Sequence, residues 1–242
     1  ILADTDTFTV VSEKSLMRQA VGTNMITTDG VEQARLRRPF NTSFAPRGIR
    51  EFAEPFIASV AHELIDSFAD QDVVDIKAEY ADIIAIKTIV EILGLNVEDY
   101  AQIRKWVFDF SQIMSNFAGD ESIIKQGKQS VQEFTDYVQV GLDELRQHSD
   151  DSVLGKMMHS PHHQLTDTEL IDSVKVIIFG GVETTSALIA STLSCLLTRP
   201  EQLTAVRENP DTLLSNAIEE VLRYESPVQT CTRHVLRDVE VA

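Results

Sequence analysis

The sequence predicts a mainly α protein with small β pieces near its C-terminal end, and three observations point there. Apolar residues recur at helical spacing through most of the chain. Helix start and stop signals punctuate that pattern, among them Thr166 with Glu169, Gly94, Pro200 and Pro227. Strand-like alternation is confined to short stretches, of which "VQTCTRHVLRDVEVA" is the clearest.

Taken in order, residues 31–44 form a basic helical stretch, and "APRG" leads from it into a helix over 49–69. The β-branched run "DVVDI" at 72–76 predicts a short strand. Residues 77–93 are helical and stop at Gly94, whose missing Cβ suits a left-handed C-terminal cap. Two amphipathic helices follow at 97–117 and 122–148, separated by "AGDE". "HSPHHQLTDTE" reads as a loop that ends in the capping box Thr166-x-x-Glu169. The long helix it opens runs to about residue 197. A further helix starts at "NPDTLL", carries "AIEEVLRYESP" and ends before Pro227. No internal repeat or low-complexity segment interrupts this order. The whole reads as a single-domain fragment over 1–242, with both termini looking like cuts through a longer sequence.

Composition narrows the function. The chain is 43% hydrophobic and 24% charged, the balance of a globular protein with a sizeable core. Its net charge of −17 does not suit nucleic acid or anionic lipid as a general partner. Two cysteines, Cys195 and Cys231, show neither metal spacing nor a disulfide framework. They read as small buried residues in a reduced, cytoplasmic setting. Residues 176–198 are long enough to span a bilayer, but Glu183 near their middle makes that costly. A buried central helix fits the stretch better. His159, His162 and His163 lie in a loop without a nearby cysteine or acid pair, a poor setting for a metal.

Within the long helix, "FGGVETTSALIA" combines two glycines, an acid and two threonines. Gly180, Glu183 and Thr184 stand at i, i+3 and i+4 on one face, with Ile177 a turn earlier. Absent side chains at Gly180 and Gly181 let another group approach the backbone closely. Thr184 is placed to bond back to the Gly180 carbonyl, and Glu183 supplies a proton donor or acceptor. On these residues alone, close helix packing explains the pattern as well as a bound group does. Glu220 and Arg223 form an i, i+3 charge pair that is unremarkable in isolation. Between Gln33 and Arg50 there are five arginines and no acid, a local reversal of the chain's charge. That stretch suits carboxylates, or is simply a solvated basic face.

Order and spacing carry more than any part: the "RLRR" helix, then Gly-Gly-x-Glu-Thr-Thr, then Glu-x-x-Arg, then Ser-Pro-Val and an arginine in a strand-like segment. In this the sequence resembles the cytochrome P450 family of haem-thiolate monooxygenases, in particular its soluble bacterial members. The resemblance covers nearly the whole chain and is strongest from Ile178 to Val241. It implies the family's helical fold with small sheets. It implies that Glu183 and Thr184 are the acid–threonine pair that delivers protons at the haem, that Gly180 and Gly181 mark where the helix crosses the haem, and that Glu220 and Arg223 are the structural pair beneath it. Arg37 and Arg233 would bind haem propionates. Gln33 stands where the family usually has a histidine, and brings a hydrogen bond without the charge. Ile177 and Val228 would border the substrate pocket. The family's cysteine loop is absent, so the iron ligand is expected beyond Ala242 and no metal ligand within this chain. The activity implied is insertion of one oxygen atom into a small apolar organic substrate, with electrons from a ferredoxin-type partner. A haem-free scaffold or activator of the same fold is the alternative; it would not need the acid–threonine pair.

Overall fold

The structure, a computed structural model, describes residues 3–41, 44, 46–148, 150–160 and 164–240, without the side chains of 46–49, 51 and 52. Ten helices and one two-stranded sheet form among them. The order is β1 (Phe8–Thr9), α1 (Leu16–Val21), α2 (Gly30–Asn41), α3 (Pro46–Phe68), α4 (Asp82–Leu93), α5 (Tyr100–Met114), α6 (Glu121–Gln147), α7 (Val153–Met158), α8 (Asp167–Leu197), α9 (Pro200–Glu208), α10 (Pro210–Tyr224) and β2 (His234–Val235). A π-helical turn, Lys77–Ala81, runs directly into α4.

The end signals read from the sequence act as expected. Gly94 adopts φ 85°, ψ 29° and donates its amide to the last carbonyls of α4. The Thr166–Glu169 capping box forms in both directions at the head of α8. Glu169 is also used by Arg35 of α2, and the hydrogen bond from that guanidinium holds its carboxyl below the usual range. One of the five basic-stretch arginines is therefore spent inside the fold. Arg47's side chain, like His162 and His163, lies outside the described residues.

Three expectations are corrected. Residues 72–76 form no strand: the Asp75 carboxylate accepts the amides of Lys77 and Ala78 and starts a helix instead, and Val73 is 86% exposed. Three short helices were not foreseen, the first being α1, which opens on Ser15. α7 opens on Ser152, whose hydroxyl accepts the Gly155 amide, and α9 begins at Pro200. At the C-terminal end the alternating pattern yields only His234 and Val235 as strand, paired antiparallel to Thr9 and Phe8.

The core gathers the inner faces of α4, α5 and α6 with the first half of α8. Ile86, Val90, Leu93, Ile103, Phe110, Phe134, Leu142, Leu170 and Ile178 are among its buried members. The long apolar helix is thus only partly the buried element expected. Residues 170–178 of α8 are almost wholly covered, but from residue 183 on only Ser186 and Leu196 are buried. There α8 meets the head of α4 through Ser186 and Ile189, and also α9 and α10, which carry a single buried residue between them, Val221.

Two polar anchors fix α8. Asp82, at the head of α4, accepts from Lys77 at 2.7 Å, from Arg104 of α5 at 3.0 Å and from Ser186 of α8. Burial opposes the Asp82 carboxylate, but the hydrogen bonds from Lys77 and Ser186 and the charges of Lys77 and Arg104 outweigh it and hold its carboxyl below the ordinary value. A turn-rich segment is pinned at the other anchor. Asp172 pairs with buried Lys175 at 3.1 Å and accepts the Thr23 amide at 2.9 Å. Gly22 is required beside it, since φ is 74° and a Cβ would lie 2.2 Å from the Asp172 carboxylate.

The Asp82 anchor predicts an acid-labile fold. Its lowered carboxyl contributes stability that is full above the unfolded value of 3.8 and lost as pH falls through the lower folded value. Asp82→Asn is expected to cost about 1–3 kcal/mol at pH 7 and to flatten the pH dependence of urea unfolding below pH 4, read by circular dichroism.

Candidate functional site

The chain ends meet at a cleft of about 850 Å³. One wall is the segment after α1, Met25 to Gly30, with Gln33 and Arg37 of α2. The other is 228–234, including Val228, Cys231 and Arg233. Met114 and Phe117, at the end of α5, close the third side. The first wall is held in place by the Asp172 anchor and by Asn24. Fully buried, Asn24 donates to the Val21 carbonyl at 2.8 Å and accepts the Ile26 amide at 3.1 Å. The β1–β2 pairing and a bond from Arg237 to the Thr7 hydroxyl, 2.7 Å, bring up the second wall.

The cleft is basic in an acidic protein. Lys14, Arg37 and Arg233 line it against one acid, Asp29. Asp29 is already engaged by the Val10 amide at 3.0 Å and the Thr9 hydroxyl. Among the described residues neither Arg37 nor Arg233 has a carboxylate partner. Two guanidiniums without a carboxylate partner, one of them bonded to the Thr232 carbonyl at 2.9 Å, and the Gln33 amide lining one cleft are a donor set for carboxylates.

The α8 motif lies beside this cleft rather than in its lining. Its two glycines have separate surroundings. At Gly181 a Cβ would lie 3.0 Å from Ile89 of α4, so the glycine lets the two helices close together. At Gly180 a Cβ would meet nothing within 4 Å. Thr184 donates to the Gly180 carbonyl at 2.5 Å, the back-bond read from the spacing, while α8 continues unbroken through it. Glu183 is exposed and accepts a hydrogen bond of 2.7 Å from Ser111 of α5. Sequence reasoning missed Ser111: it is 72 residues away from Glu183 and has no motif around it. Ile177 is half-buried against the core and does not line the cleft.

Glu220 and Arg223 form the expected pair through two bonds, 2.8 and 2.6 Å. These bonds lower the Glu220 carboxyl and raise the Arg223 guanidinium. Both side chains are more than 60% exposed, so the pair adds little stability here. The cysteines depart from expectation. Cys195 is half-buried on the less covered half of α8, and Cys231 is exposed on the cleft wall. No group of three metal-binding side chains forms among the described residues.

The long helix thus carries an open glycine, a back-bonded threonine and an acid, and α5 links that acid to one wall of a basic cleft. The family model that matches residues 85–242 is "Cytochrome P450", and the chain belongs to that family. Relatives agree. It is 34% identical over 89% of its length to cytochrome P450 CYP107DY1 of Priestia megaterium, covering 52% of that protein. It is 30% identical over 63% of its length to the biotin biosynthesis cytochrome P450 of Bacillus subtilis, covering 38% of that one. Among solved structures, P450BioI in complex with an acyl carrier protein ligated to hexadec-9Z-enoic acid superposes with a TM-score of 0.85 at 27% identity, over 97% of this chain and 61% of that one. CYP109E1 of Bacillus megaterium in complex with testosterone gives 0.83 at 26% identity, over 100% and 62%. The chain thus spans about half the length of the first of these relatives.

The two glycines separate packing from ligand approach. Gly181→Ala is expected to lower stability by about 1 kcal/mol, because Ile89 must yield. Gly180→Ala is expected to raise it by about 0.5–1 kcal/mol through helix propensity and yet to weaken haem uptake by the intact protein. Chemical unfolding and haem titration read the two effects independently.

Proposed function

We propose that the intact protein is a cytoplasmic, haem-dependent monooxygenase that inserts one atom of dioxygen into a small apolar organic substrate. The other atom leaves as water, with two electrons and two protons consumed. The observation that carries this reading is the ledge on α8, where Gly180 opens the surface, Thr184 bonds back to its carbonyl and Glu183 stands beside them. A scaffold of the same fold has no use for that arrangement.

The residues present fit haem on its carboxylate side. Arg37 and Arg233, which line the cleft without a carboxylate partner, would hold the propionates, with Gln33 as a neutral donor. The thiolate ligand is expected beyond Ala242. Haem, when bound, supplies the activation of dioxygen. The open surface of α8 at Gly180 would let it approach, while Gly181 seats the helix on α4. The Thr184 hydroxyl commits its proton to the Gly180 carbonyl, and its oxygen remains as an acceptor for one water. Glu183, exposed on the outer side, takes protons from solvent and passes them to that water. Glu220 and Arg223, an exposed pair in this chain, are proposed as the structural pair that supports the haem-binding core of the intact protein. Val228, on the cleft wall, would present apolar surface to the substrate, whereas Ile177 packs against the core. Testosterone in one related structure and a fatty acyl chain in another are apolar ligands of the expected kind.

Thr184→Ala in the intact, haem-loaded protein tests the reading. Product per reducing equivalent should fall and hydrogen peroxide should rise, with oxygen consumption retained and substrate affinity nearly unchanged. Thr185→Ala is the control, since its side chain points about 100° away around the helix. Equal product yield in Thr184→Ala, or equal uncoupling in Thr185→Ala, would sink the assignment.

The electron donor is proposed to be a ferredoxin-type protein that meets the basic α2 face. Arg37 faces the cleft and Arg35 is held by Glu32 and Glu169, which leaves exposed Arg38 on that helix for an acidic partner. Arg38→Glu should slow reduction by the donor several-fold at low salt. The difference should vanish near 0.5 M, where the Debye length is only a few ångströms. Stopped-flow reduction at several ionic strengths measures it.

A further inference from the structure

The last turns of α5 touch both halves of the site. Met114 and Phe117 wall the cleft, and Ser111, one turn before Met114, reaches Glu183. The Ser111 hydroxyl has one proton and two acceptors within reach, the Val107 carbonyl at 3.1 Å and Glu183 Oε1 at 2.7 Å. The carboxylate is the charged acceptor and the shorter contact, so it takes the proton. Among the described residues Ser111 is the only hydrogen-bond partner of the Glu183 side chain, which otherwise projects into open surroundings.

We infer that Ser111 is a positioning residue for Glu183: it fixes the acid in one rotamer and fastens it to the helix whose end walls the ligand cleft. A long, exposed carboxylate with no partner samples several rotamers, and only some of them reach a water at Thr184. A hydrogen bond from a neighbouring helix selects one. That helix is also the wall against which a cleft ligand rests at Met114 and Phe117. Seating of a ligand and placement of the acid are therefore linked through one rigid turn of α5, with Ser111 and Met114 at i and i+3 on the same face. The inference rests on the proposed role of Glu183, and concerns how that role is set up.

The test uses Ser111→Ala and Ser111→Thr in the intact, haem-loaded protein. The side-chain carboxyl resonance of ¹³C-labelled Glu183, assigned by its disappearance in Glu183→Gln, reports the hydrogen bond directly. Product per reducing equivalent and substrate affinity report its consequence. In Ser111→Ala the resonance should shift and product per electron should fall roughly three- to tenfold, the scale of one ordinary hydrogen bond at an exposed site. Substrate affinity should not change. Ser111→Thr, which keeps the hydroxyl, should restore both signals. An unmoved resonance in Ser111→Ala overturns the inference, as does an unchanged product yield or a failure of threonine to restore it. If the wild-type protein makes no product, the monooxygenase reading falls by itself. The resonance then decides this inference alone, upheld by a shift that threonine reverses and overturned by its absence.

Discussion

The close approach of α8 to α4 is the constraint on which the rest depends. Gly181 removes the side chain that would hold the helices apart, and Ile89 fills the space against its backbone. One turn further on, Ser186 hands its proton to Asp82 at the head of α4. Contact and hydrogen bond together set both the depth and the rotation of α8. Rotation matters because the two glycines are adjacent, so their Cα vectors differ by about 100° around the helix. With Gly181 turned to Ile89, Gly180 is left on an open side of α8, where its carbonyl accepts the Thr184 hydroxyl.

Charge is organised with the same economy. The chain carries −17 overall, yet its acids are kept off the cleft. Glu169 holds Arg35, Asp82 holds Lys77 and Arg104, and Asp172 holds Lys175. Asp29, the one acid on the cleft, is covered by the amide of Val10 and the hydroxyl of Thr9. What remains open towards the cleft is cationic. Buried pairs such as Asp172–Lys175 are costly to desolvate and poor evidence of stability in themselves. Here the pair fixes a turn: Thr23, Asn24 and Gly22 all depend on Asp172, and the wall from Met25 to Gly30 follows from them.

Signals local in sequence were legible, and signals that arise across the fold were not. The capping box at Thr166, the left-handed stop at Gly94, the Thr184 back-bond and the Glu220–Arg223 pair each involve residues within four positions, and each formed as read. The strand expected at 72–76 failed because β-branched composition was outweighed by one Asp75 side chain capping the next helix. α1, α7 and α9, six, six and nine residues long, lack the length for a visible period; serine caps define the first two and a proline the third. Cys195 and Cys231 read as buried because their residue type usually is, but burial belongs to the surroundings rather than to the residue. The meeting of Gln33, Arg37, Val228 and Arg233 at one cleft joins segments some 190 residues apart, and only the family's order of motifs hinted at it.

α8 also shows why composition alone misleads for such a helix. Its length and mean hydropathy of 1.5 would pass for a membrane span, yet only 28% of its most apolar stretch is buried within the protein. A helix serving purely as core would be covered all round. This one changes character along its length. Residues 170–178 are packed as core, Gly181 and Ser186 are locked to α4, and the acid and hydroxyl between them stand open on the other side. Apolar residues supply the packing that makes the helix rigid, and the glycines and polar groups interrupt it where something must come close. A weak helix former such as threonine costs little there, because its hydroxyl bonds to the Gly180 carbonyl and the flanking turns are held by tertiary contacts. The local sequence looks unfavourable because its stability is supplied from either side, by α4 through Ile89 and Asp82 and by α5 through Ser111.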